Sequence, residues 1–282
     1  MTVKFMKMRT RRTNDPASLR EFYLVEKEIA GRLRRSTREE RKRLYSSSYD
    51  ELFRRLPRHQ QLTEDEPNKA AVIRQNLIMV GRFLNPSGSL LDVGSGDCGF
   101  AAEAAKRVRV VYAVDVSREI SERRPLPRNV TLLISDGCSI PVPAGSIDVI
   151  FSNQLMEHLH PEDAFEQLGN IHRALAPGGV YLCVTTNALS GPHDVSRNFD
   201  DIPTGLHLKE YTIRELLILF RATGFSRVRA LVGARSFYRE VSVSPLQVFE
   251  RLLMKFPARP RKFLARFSLF RPFLGIKLIG FK

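Results

Sequence analysis

Three aspartates stand at the ends of short apolar segments, and a glycine-rich turn follows the first. The turn reads DVGSGDCG over residues 92–99, and Asp115 and Asp136 follow the next two apolar segments. Glycines let a ligand approach the backbone closely, and a helix that starts after the turn directs N–H groups toward it. A carboxylate before the glycines repels a pyrophosphate and attracts a cation. The pattern therefore favours a cationic nucleoside as the ligand.

The spacing predicts that each of the two later carboxylates binds a different part of that ligand. Asp115 lies 21 residues after Gly94, where a carboxylate accepts both ribose hydroxyls. Asp136 and Gly137 follow the third apolar segment, where they would hydrogen-bond an adenine edge. The glycines alone match G-x-G-x-x-G, which nicotinamide-dependent dehydrogenases share, so that class stays open on this motif.

Alternating strand and helix signals surround these residues from position 89 onward. The predicted strands are SLLDVG, VVYAVDV, VTLLIS, IDVIFS and GVYLCVTT. One predicted helix covers 161–175, and its expected buried face is Phe165, Leu168, Ile171 and Leu175. The next begins with a capping box of Thr212 and Glu215 and ends at Gly224. Such alternation predicts a parallel sheet with helices on both faces.

The chain before position 89 has helical signals. Asp15-Pro16 predicts a helix start, Thr37 with Glu40 forms a second capping box, and Pro57 ends the run. Residues 61–69 are interpreted as a linker, and 70–84 as a further helix.

Taken together, these segments resemble the class I S-adenosylmethionine-dependent methyltransferases. The matching stretches are LLDVGSGDCGF (90–100), AVDVS (113–117), SDGCSIPVPAGSIDVIFSNQLMEHL (135–159) and LAPGGVYLCVTTN (175–187). The resemblance implies an α/β fold with a Rossmann-like seven-stranded sheet, whose last two strands would be 226–233 and 275–282. It also implies S-adenosyl-L-methionine as the cofactor.

The resemblance assigns a set of residues to that cofactor. Asp92 would lie near the methionine amino group, the Gly94–Gly96 backbone and Asn153 would hold the methionine part, and Asp115 and Asp136 would take ribose and adenine. The complete cofactor set is Asp92, Gly94, Ser95, Gly96, Asp115, Val116, Asp136, Gly137 and Asn153.

Histidines supply the candidate general base for methyl transfer to a hydroxyl, which must lose its proton. His193 and Asp194, adjacent in a loop beyond the fifth strand, are the first candidates for catalysis, and His158 is another. His207 is expected to bind substrate, as are Tyr45 and Tyr49 of the helical cap. The alternative for each is ordinary core packing or a satisfied loop histidine. Asp194, Asp200 and Asp201 fit no metal spacing, so no metal is predicted.

The segments EKEIAGRL, YSSSYDELFRRLPRH, GPHD and GLHLKEYT resemble a bacterial subgroup associated with glycan and surface-polysaccharide assembly. That resemblance implies O-methylation of a sugar hydroxyl on a small or lipid-linked glycan acceptor. Two alternatives stay open: C- or N-methylation of a quinone-like or lipid acceptor, and a non-catalytic S-adenosylmethionine-binding protein.

Positive charge is concentrated at the two ends of the chain. Residues 1–60 carry 17 basic and 8 acidic side chains, residues 251–282 carry 9 basic and no acidic ones, and the whole chain has a net charge of +15. Basic residues also interleave with an apolar stripe after position 245, whose members are Leu246, Phe249, Leu252, Leu253, Phe256, Phe263, Leu264, Phe267 and Phe270. Such a helix binds an anionic membrane surface or packs on the core; nucleic acid is the least favoured partner.

Four regions are expected. They are an N-terminal helical cap with its linker (1–69), a cofactor-binding core (70–235), a basic amphipathic helical insertion broken by Pro257 and Pro260 (236–274), and a final strand (275–282). Three scattered cysteines and the lack of a signal-like apolar segment favour a cytoplasmic location, with peripheral attachment at the inner face of the membrane as an extension.

Overall fold

A single mixed sheet organises the molecule. The computed structural model describes residues 16–63, 66–234, 237–266, 273 and 275–282. Its strands are β1 (Ser89–Val93), β2 (Val110–Asp115), β3 (Val130–Ile134), β4 (Ile147–Asn153), β5 (Leu175–Thr185), β6 (Arg227–Ala234), β7 (Phe237–Ser242) and β8 (Ile276–Phe281). They lie in the order β3-β2-β1-β4-β5-β8-β6-β7. Every strand predicted from the sequence is present.

The first five strands are parallel, so their carboxyl ends share one edge of the sheet. The order reverses between β1 and β4, which is where open α/β sheets bind ligands. Strand β8 lies antiparallel between β5 and β6. The α/β prediction is confirmed, but the described part of the sheet has eight strands, not seven. The added strand is β7, which forms a hairpin with β6 and replaces the helical start expected for the insertion.

The helices pack on both faces of the sheet and over its carboxyl edge. They are α1 (Pro16–Arg35), α2 (Arg38–Arg55), α3 (Gln60–Thr63), α4 (Glu66–Val80), α5 (Gly99–Ala104), α6 (Arg118–Ser121), α7 (Pro161–Ala174), α8 (Ile213–Ala222), α9 (Val243–Met254) and α10 (Ala258–Arg266). Short 3-10 turns cover Gly81–Phe83, Met156–His158 and Val195–Asn198.

Both predicted capping boxes are present, at Thr37 with Glu40 and at Thr212 with Glu215. Asp15, the expected first cap, lies outside the described residues. The interpretation of 61–69 as a linker is wrong in part, because α3 and the start of α4 occupy most of it. Phe165 is also not on the buried face of α7. It is 46 % exposed, since Ala164 takes the inward position.

The insertion after β7 is attached to the core by a buried carboxylate. Glu250 of α9 accepts the Ile213 and Arg214 backbone N–H groups at 2.9 and 3.1 Å, which satisfies donors at the first turn of α8. Of the expected breaks, only Pro257 separates two helices; Pro260 lies in the first turn of α10, where a missing N–H costs nothing. Phe267 and Phe270 lie outside the described residues.

Candidate active site

The glycine turn after β1 adopts a conformation that suits glycine. Gly94 and Gly96 have φ angles of +74° and +52°, which other residues rarely adopt. A Cβ on Gly94 would also lie 3.0 Å from the Leu155 side chain. The Gly94 and Ser95 N–H groups donate to the Val114 carbonyl at 2.8 and 3.1 Å, which fixes the turn against the end of β2.

Asp115 is joined to that turn at the end of β2. Its Oδ2 accepts the Gly96 N–H at 2.7 Å, and its Oδ1 accepts the Ser117 N–H at 3.0 Å. Each oxygen keeps a further lone pair for a ligand hydroxyl. Burial raises the pKa of Asp115 to about 6 against the effect of these hydrogen bonds.

Asp92 is buried at the end of β1, with 4 % of its surface exposed. It has no hydrogen-bond partner among the residues that the structure describes. Burial, together with the nearby charges of Asp115 and Asp97, raises its pKa to about 8. A buried carboxylate without a donor is destabilised unless a cation or donor is supplied. The site therefore fits a positively charged ligand, as the sequence predicts.

The remaining predicted cofactor residues lie at or just after the ends of β2, β3 and β4. Asn153 is half-buried at the end of β4, and Val116 packs against the main core. Asp136 is engaged by its own loop: its Oδ1 accepts the Cys138 and Ser139 N–H groups at 2.9 and 2.7 Å, and these bonds lower its pKa against the effect of burial. Gly137 has a φ of +90°.

The cap helix α2 crosses these loops. A Cβ on Gly137 would lie 2.6 Å from the Tyr45 ring, and the Ser117 hydroxyl donates to Asp50 Oδ1 at 2.5 Å. Tyr45 itself is 1 % exposed, and its hydroxyl donates to Asp163 Oδ2 at 2.7 Å. Its position is that of a packing residue between α2 and α7, so the expectation that Tyr45 binds substrate gains no support.

Tyr49, in contrast, lies between the cofactor residues and a second polar group. Its ring meets the His158 ring edge-on, with centroids 6.2 Å apart. Burial, followed by the charges of Asp115, Glu26 and Glu157, raises the pKa of its hydroxyl. Tyr49 is therefore close to both Asp115 and the acidic and histidine side chains beyond β4.

Those side chains form a buried cluster in which His158 and His207 face each other, with ring centroids 5.0 Å apart. His158 Nδ1 lies 3.2 Å from the Leu206 carbonyl, and burial lowers its pKa to about 3. His207 Nδ1 lies 2.7 Å from Glu210 Oε1. Burial opposes the charge on His207, but Glu210 outweighs it and the pKa of His207 is raised.

His193 stands at the more open end of the cluster, with 30 % of its side chain exposed. Its Nδ1 lies 3.1 Å from Glu210 Oε2 and its Nε2 lies 3.0 Å from the Ser190 hydroxyl. Burial would raise the pKa of Glu210, but the hydrogen bonds from His193 and His207 lower it to about 2. Glu210 thus orients both histidines.

Asp194 does not pair with His193, despite its adjacency. Its Oδ1 accepts the Ser196 N–H at 3.1 Å, which caps the 3-10 turn Val195–Asn198, and its Oδ2 accepts the His207 N–H at 3.3 Å. Asp194 thus shapes the loop, and Glu210 is the carboxylate partner of His193. A catalytic role for Asp194 stays a prediction.

Helix α1 covers this loop. Arg34 donates to four backbone carbonyls at 2.9–3.2 Å, those of Pro203, Thr204, Gly205 and His207. Glu26 is buried beside Asp194, and burial, then the charge of Asp194, raises its pKa to about 7.

Sequence reasoning missed Glu26, Glu157 and Glu210. The signal for Glu210 was available in part, because a glutamate three residues after His207 stands in the quoted GLHLKEYT segment. Gly191 is a further clue: a Cβ there would lie 1.9 Å from Glu210 Oε2, so this glycine accommodates the carboxylate.

Known structures share the fold. A SAM-dependent methyltransferase from Archaeoglobus fulgidus superposes with a TM-score of 0.53 at 16 % identity, covering 79 % of this chain and 97 % of that one. Phosphoethanolamine N-methyltransferase 2 of Haemonchus contortus, in complex with S-adenosyl-L-methionine, superposes with a TM-score of 0.51 at 19 % identity. The match covers 81 % of this chain and 59 % of that one. The chain therefore has the fold of these S-adenosylmethionine-dependent methyltransferases.

The sequence comparison agrees. Residues 38–230 match the family model described as "Methyltransferase domain", and the chain belongs to that family. The predicted resemblance to this class is confirmed.

Curated relatives match over shorter stretches. Phosphoethanolamine N-methyltransferase 1 of Triticum aestivum is 29 % identical over 98 residues, 32 % of this chain and 20 % of that protein. A probable S-adenosylmethionine-dependent methyltransferase of Mycolicibacterium smegmatis is 29 % identical over 139 residues, which are 48 % of this chain and 51 % of that protein. Malonyl-[acyl-carrier protein] O-methyltransferase of Xylella fastidiosa is 32 % identical over 110 residues, which are 36 % of this chain and 35 % of that protein. The chain thus spans about half or less of these relatives' lengths.

Proposed function

We propose that the chain transfers a methyl group from S-adenosylmethionine to a sugar hydroxyl of a small or lipid-linked glycan. The observation that carries the proposal is the Glu210–His193 pair, a carboxylate-oriented imidazole with one half-exposed face, beside a buried polar cluster at the carboxyl edge of the sheet. A hydroxyl acceptor must lose a proton during transfer, and an imidazole oriented by a carboxylate can accept it.

The cofactor would be held by residues already at the glycine turn. Asp92 would pair with the ammonium of the methionine part, and the free lone pairs of Asp115 would accept the ribose hydroxyls. When bound, S-adenosylmethionine supplies a methyl group on an already activated sulfonium. The protein therefore contributes alignment and exclusion of water. The cap supports both, since α2 contacts the loops at Ser117 and Gly137.

The hydrogen bonds of His193 indicate where the proton of the acceptor hydroxyl would go. His193 Nδ1–H donates to Glu210 Oε2, which leaves Nε2 as the basic atom. The Ser190 hydroxyl, 3.0 Å from Nε2, marks the position of a donor. An acceptor hydroxyl near this atom would transfer its proton to Nε2, and the exposed side of the ring returns it to solvent. Tyr49 and His207 would contact the acceptor.

N-methylation is the second candidate, because phosphoethanolamine N-methyltransferases are among the similar sequences and structures. An amine acceptor that arrives unprotonated needs no base. The two candidates therefore differ in their dependence on His193.

An acceptor screen with methyl-labelled S-adenosylmethionine tests the proposal. We expect label in hydroxyl-bearing sugars or lipid-linked sugars, and His193→Ala should lower kcat by ~10²–10⁴-fold with unchanged cofactor affinity. His172→Ala, a histidine that packs on Phe225 away from the site, is the matched control. Label found only in amines, with His193→Ala fully active, would contradict O-methylation.

We further propose that the insertion places the enzyme at an anionic membrane surface, where a lipid-linked acceptor would reside. Helices α9 and α10 and the turn between them expose the apolar side chains Val248, Leu252, Met254, Phe256 and Phe263. Basic residues accompany them, and the chain has no acidic residue after Glu250. No described helix combines the length and the apolar character needed to cross a bilayer. Contact by an amphipathic surface is consistent with these features.

A further inference from the structure

Three side chains of the buried cluster could share one ligand. One donor atom from each of Glu157, His158 and His207 lies within 4.8 Å of the other two. Glu157 and His158 are adjacent in the 3-10 turn that follows β4, and His207 comes from the loop fastened by Arg34. Two rigidly held segments thus bring two imidazoles and a carboxylate together.

Glu157 has an unused oxygen at this point. The residue is fully buried, and its Oε2 accepts the Thr185 hydroxyl at 2.6 Å. Its Oε1 has no hydrogen-bond partner in the part of the chain that the structure describes. A buried carboxylate oxygen left without a partner is energetically unfavourable. The Thr185 bond fixes the carboxylate, so Oε1 is held ready for a ligand.

The two histidines are arranged in the way that metal-binding histidines usually are. His207 Nδ1 is bonded to Glu210 Oε1 at 2.7 Å, and His158 Nδ1 is bonded to the Leu206 carbonyl at 3.2 Å. Acceptors at Nδ1 fix the tautomer and leave Nε2 with its lone pair free. Both rings therefore have one nitrogen engaged by the protein and one available.

We infer that Glu157, His158 and His207 bind one divalent transition-metal ion. Two imidazoles and one carboxylate suit Zn²⁺, Mn²⁺ or Fe²⁺ and disfavour Mg²⁺, which prefers oxygen ligands. Three protein ligands leave open positions. In the proposed function, on which this role rests, an acceptor hydroxyl would coordinate there and lose its proton more readily, with His193 taking the proton.

A second group of three potential ligands provides a contrast to the first. His160, Glu162 and Asp163 also place one donor atom each within 4.8 Å. Both Asp163 oxygens are already occupied, because Arg41 donates to them at 2.5 and 2.9 Å and Tyr45 donates at 2.7 Å. We therefore expect no metal at this second group.

Metal content of the full-length chain tests the inference. After treatment with a chelator, the protein is incubated with Zn²⁺, Mn²⁺ or Co²⁺, desalted, and analysed by mass spectrometry for bound metal, with the visible spectrum recorded for Co²⁺. We expect about one ion per chain. Glu157→Gln, His158→Gln and His207→Gln should each lose it, and Glu210→Gln should bind ~10–100-fold more weakly. His160→Gln is the matched control and should keep its metal.

Circular dichroism and S-adenosylmethionine binding show whether each variant is folded. No bound metal in the wild type, or full occupancy in folded His158→Gln and His207→Gln, would overturn the site. The two proposals fail separately. Hydroxyl methylation in a chain that binds no metal would overturn only the metal site, whereas one metal per chain without hydroxyl methylation would overturn only O-methylation.

Discussion

Asp92 is central to the proposed cofactor site, because its carboxyl group is buried and no described residue donates a hydrogen bond to it. Its pKa of about 8 is well above the ordinary value, so it is largely protonated in the free protein near neutral pH. A cation bound beside it reverses this preference and expels the proton. Binding of a positively charged cofactor should therefore release protons.

The free protein should lose stability as pH rises. A carboxyl group whose pKa is higher in the folded chain than in the unfolded chain stabilises the fold below the unfolded value, near 4. That contribution disappears as pH rises through the folded value of about 8. Asp92→Asn should flatten this dependence and raise the Tm at pH 8 by roughly 2–4 °C. Thermal unfolding between pH 5 and 8.5 measures how Tm depends on pH. The same dependence in wild type and variant would contradict its assignment to Asp92.

Glu210 is a positioning residue whose removal should affect turnover but not cofactor binding. Glu210→Ala deprives His193 and His207 of their shared acceptor. We expect kcat to fall at least ~10-fold, with the dissociation constant for S-adenosylmethionine unchanged. Steady-state kinetics measure kcat and calorimetry measures cofactor affinity. Glu66→Ala, which removes an exposed carboxylate, is the control. Equal loss of cofactor affinity would point to a general structural role.

At this scale the sequence was informative where the residues are close along the chain. The turn at Gly94 and the carboxylates at the ends of β1 and β2 follow from local spacing. The partner of His193 could not be predicted from local spacing, because Glu210 lies 17 residues away in the sequence and reaches the ring through the folding of a loop. Adjacency favoured Asp194, whose carboxylate bonds locally to Ser196 instead.

Among the elements, the contact between the cap and the core depends on one buried ion pair. Arg41 of α2 donates to Asp163 at the start of α7, and each side chain is at most 2 % exposed. Removal of one partner leaves the other charge buried and unpaired. The pair thus fixes α2 above the cofactor loops.

Arg41→Ala should lower the free energy of unfolding by about 3–5 kcal/mol. Arg38→Ala, which removes a more exposed arginine paired with Glu166, should cost less than about 1 kcal/mol. Denaturant titration measures both changes. Similar losses for the two variants would show that the Arg41–Asp163 pair does not hold the cap.

Element prediction succeeded where local signals are strong and failed where tertiary pairing decides. Apolar runs revealed all the parallel strands, and Thr37 and Thr212 marked two helix starts. Strand β7 was missed because FYREVS alternates weakly, and its pairing with β6 supplies the stabilisation, including an Arg229–Glu240 ion pair at 3.1 Å.

For the whole molecule, the family match covers residues 38–230 and leaves α1, β7, α9, α10 and β8 outside it. Strand β8 still completes the sheet, and α1 covers the histidine loop through Arg34. The parts beyond the match are also those with the concentrated positive charge. We therefore expect the features that determine the location of the chain to lie there.

Membrane contact can be tested by sedimentation with vesicles. The protein should bind vesicles with anionic lipid at low salt, and binding should weaken at high salt because surface charges are screened. Substituting both Phe256 and Phe263 with Ser should reduce binding ~10-fold or more, while Leu24→Ser, an exposed apolar residue on α1, should not. Absence of binding at low salt would contradict the surface proposal.

Calorimetric titration of S-adenosylmethionine and its demethylated product into the full chain examines the cationic nucleoside site itself. We predict one binding site per chain, proton release at pH 7 as seen in buffers of different ionisation enthalpy, and ~10–100-fold weaker binding of S-adenosylmethionine by Asp92→Asn. Failure of the folded wild-type chain to bind either nucleoside would contradict the cofactor site and the methyl transfer built on it.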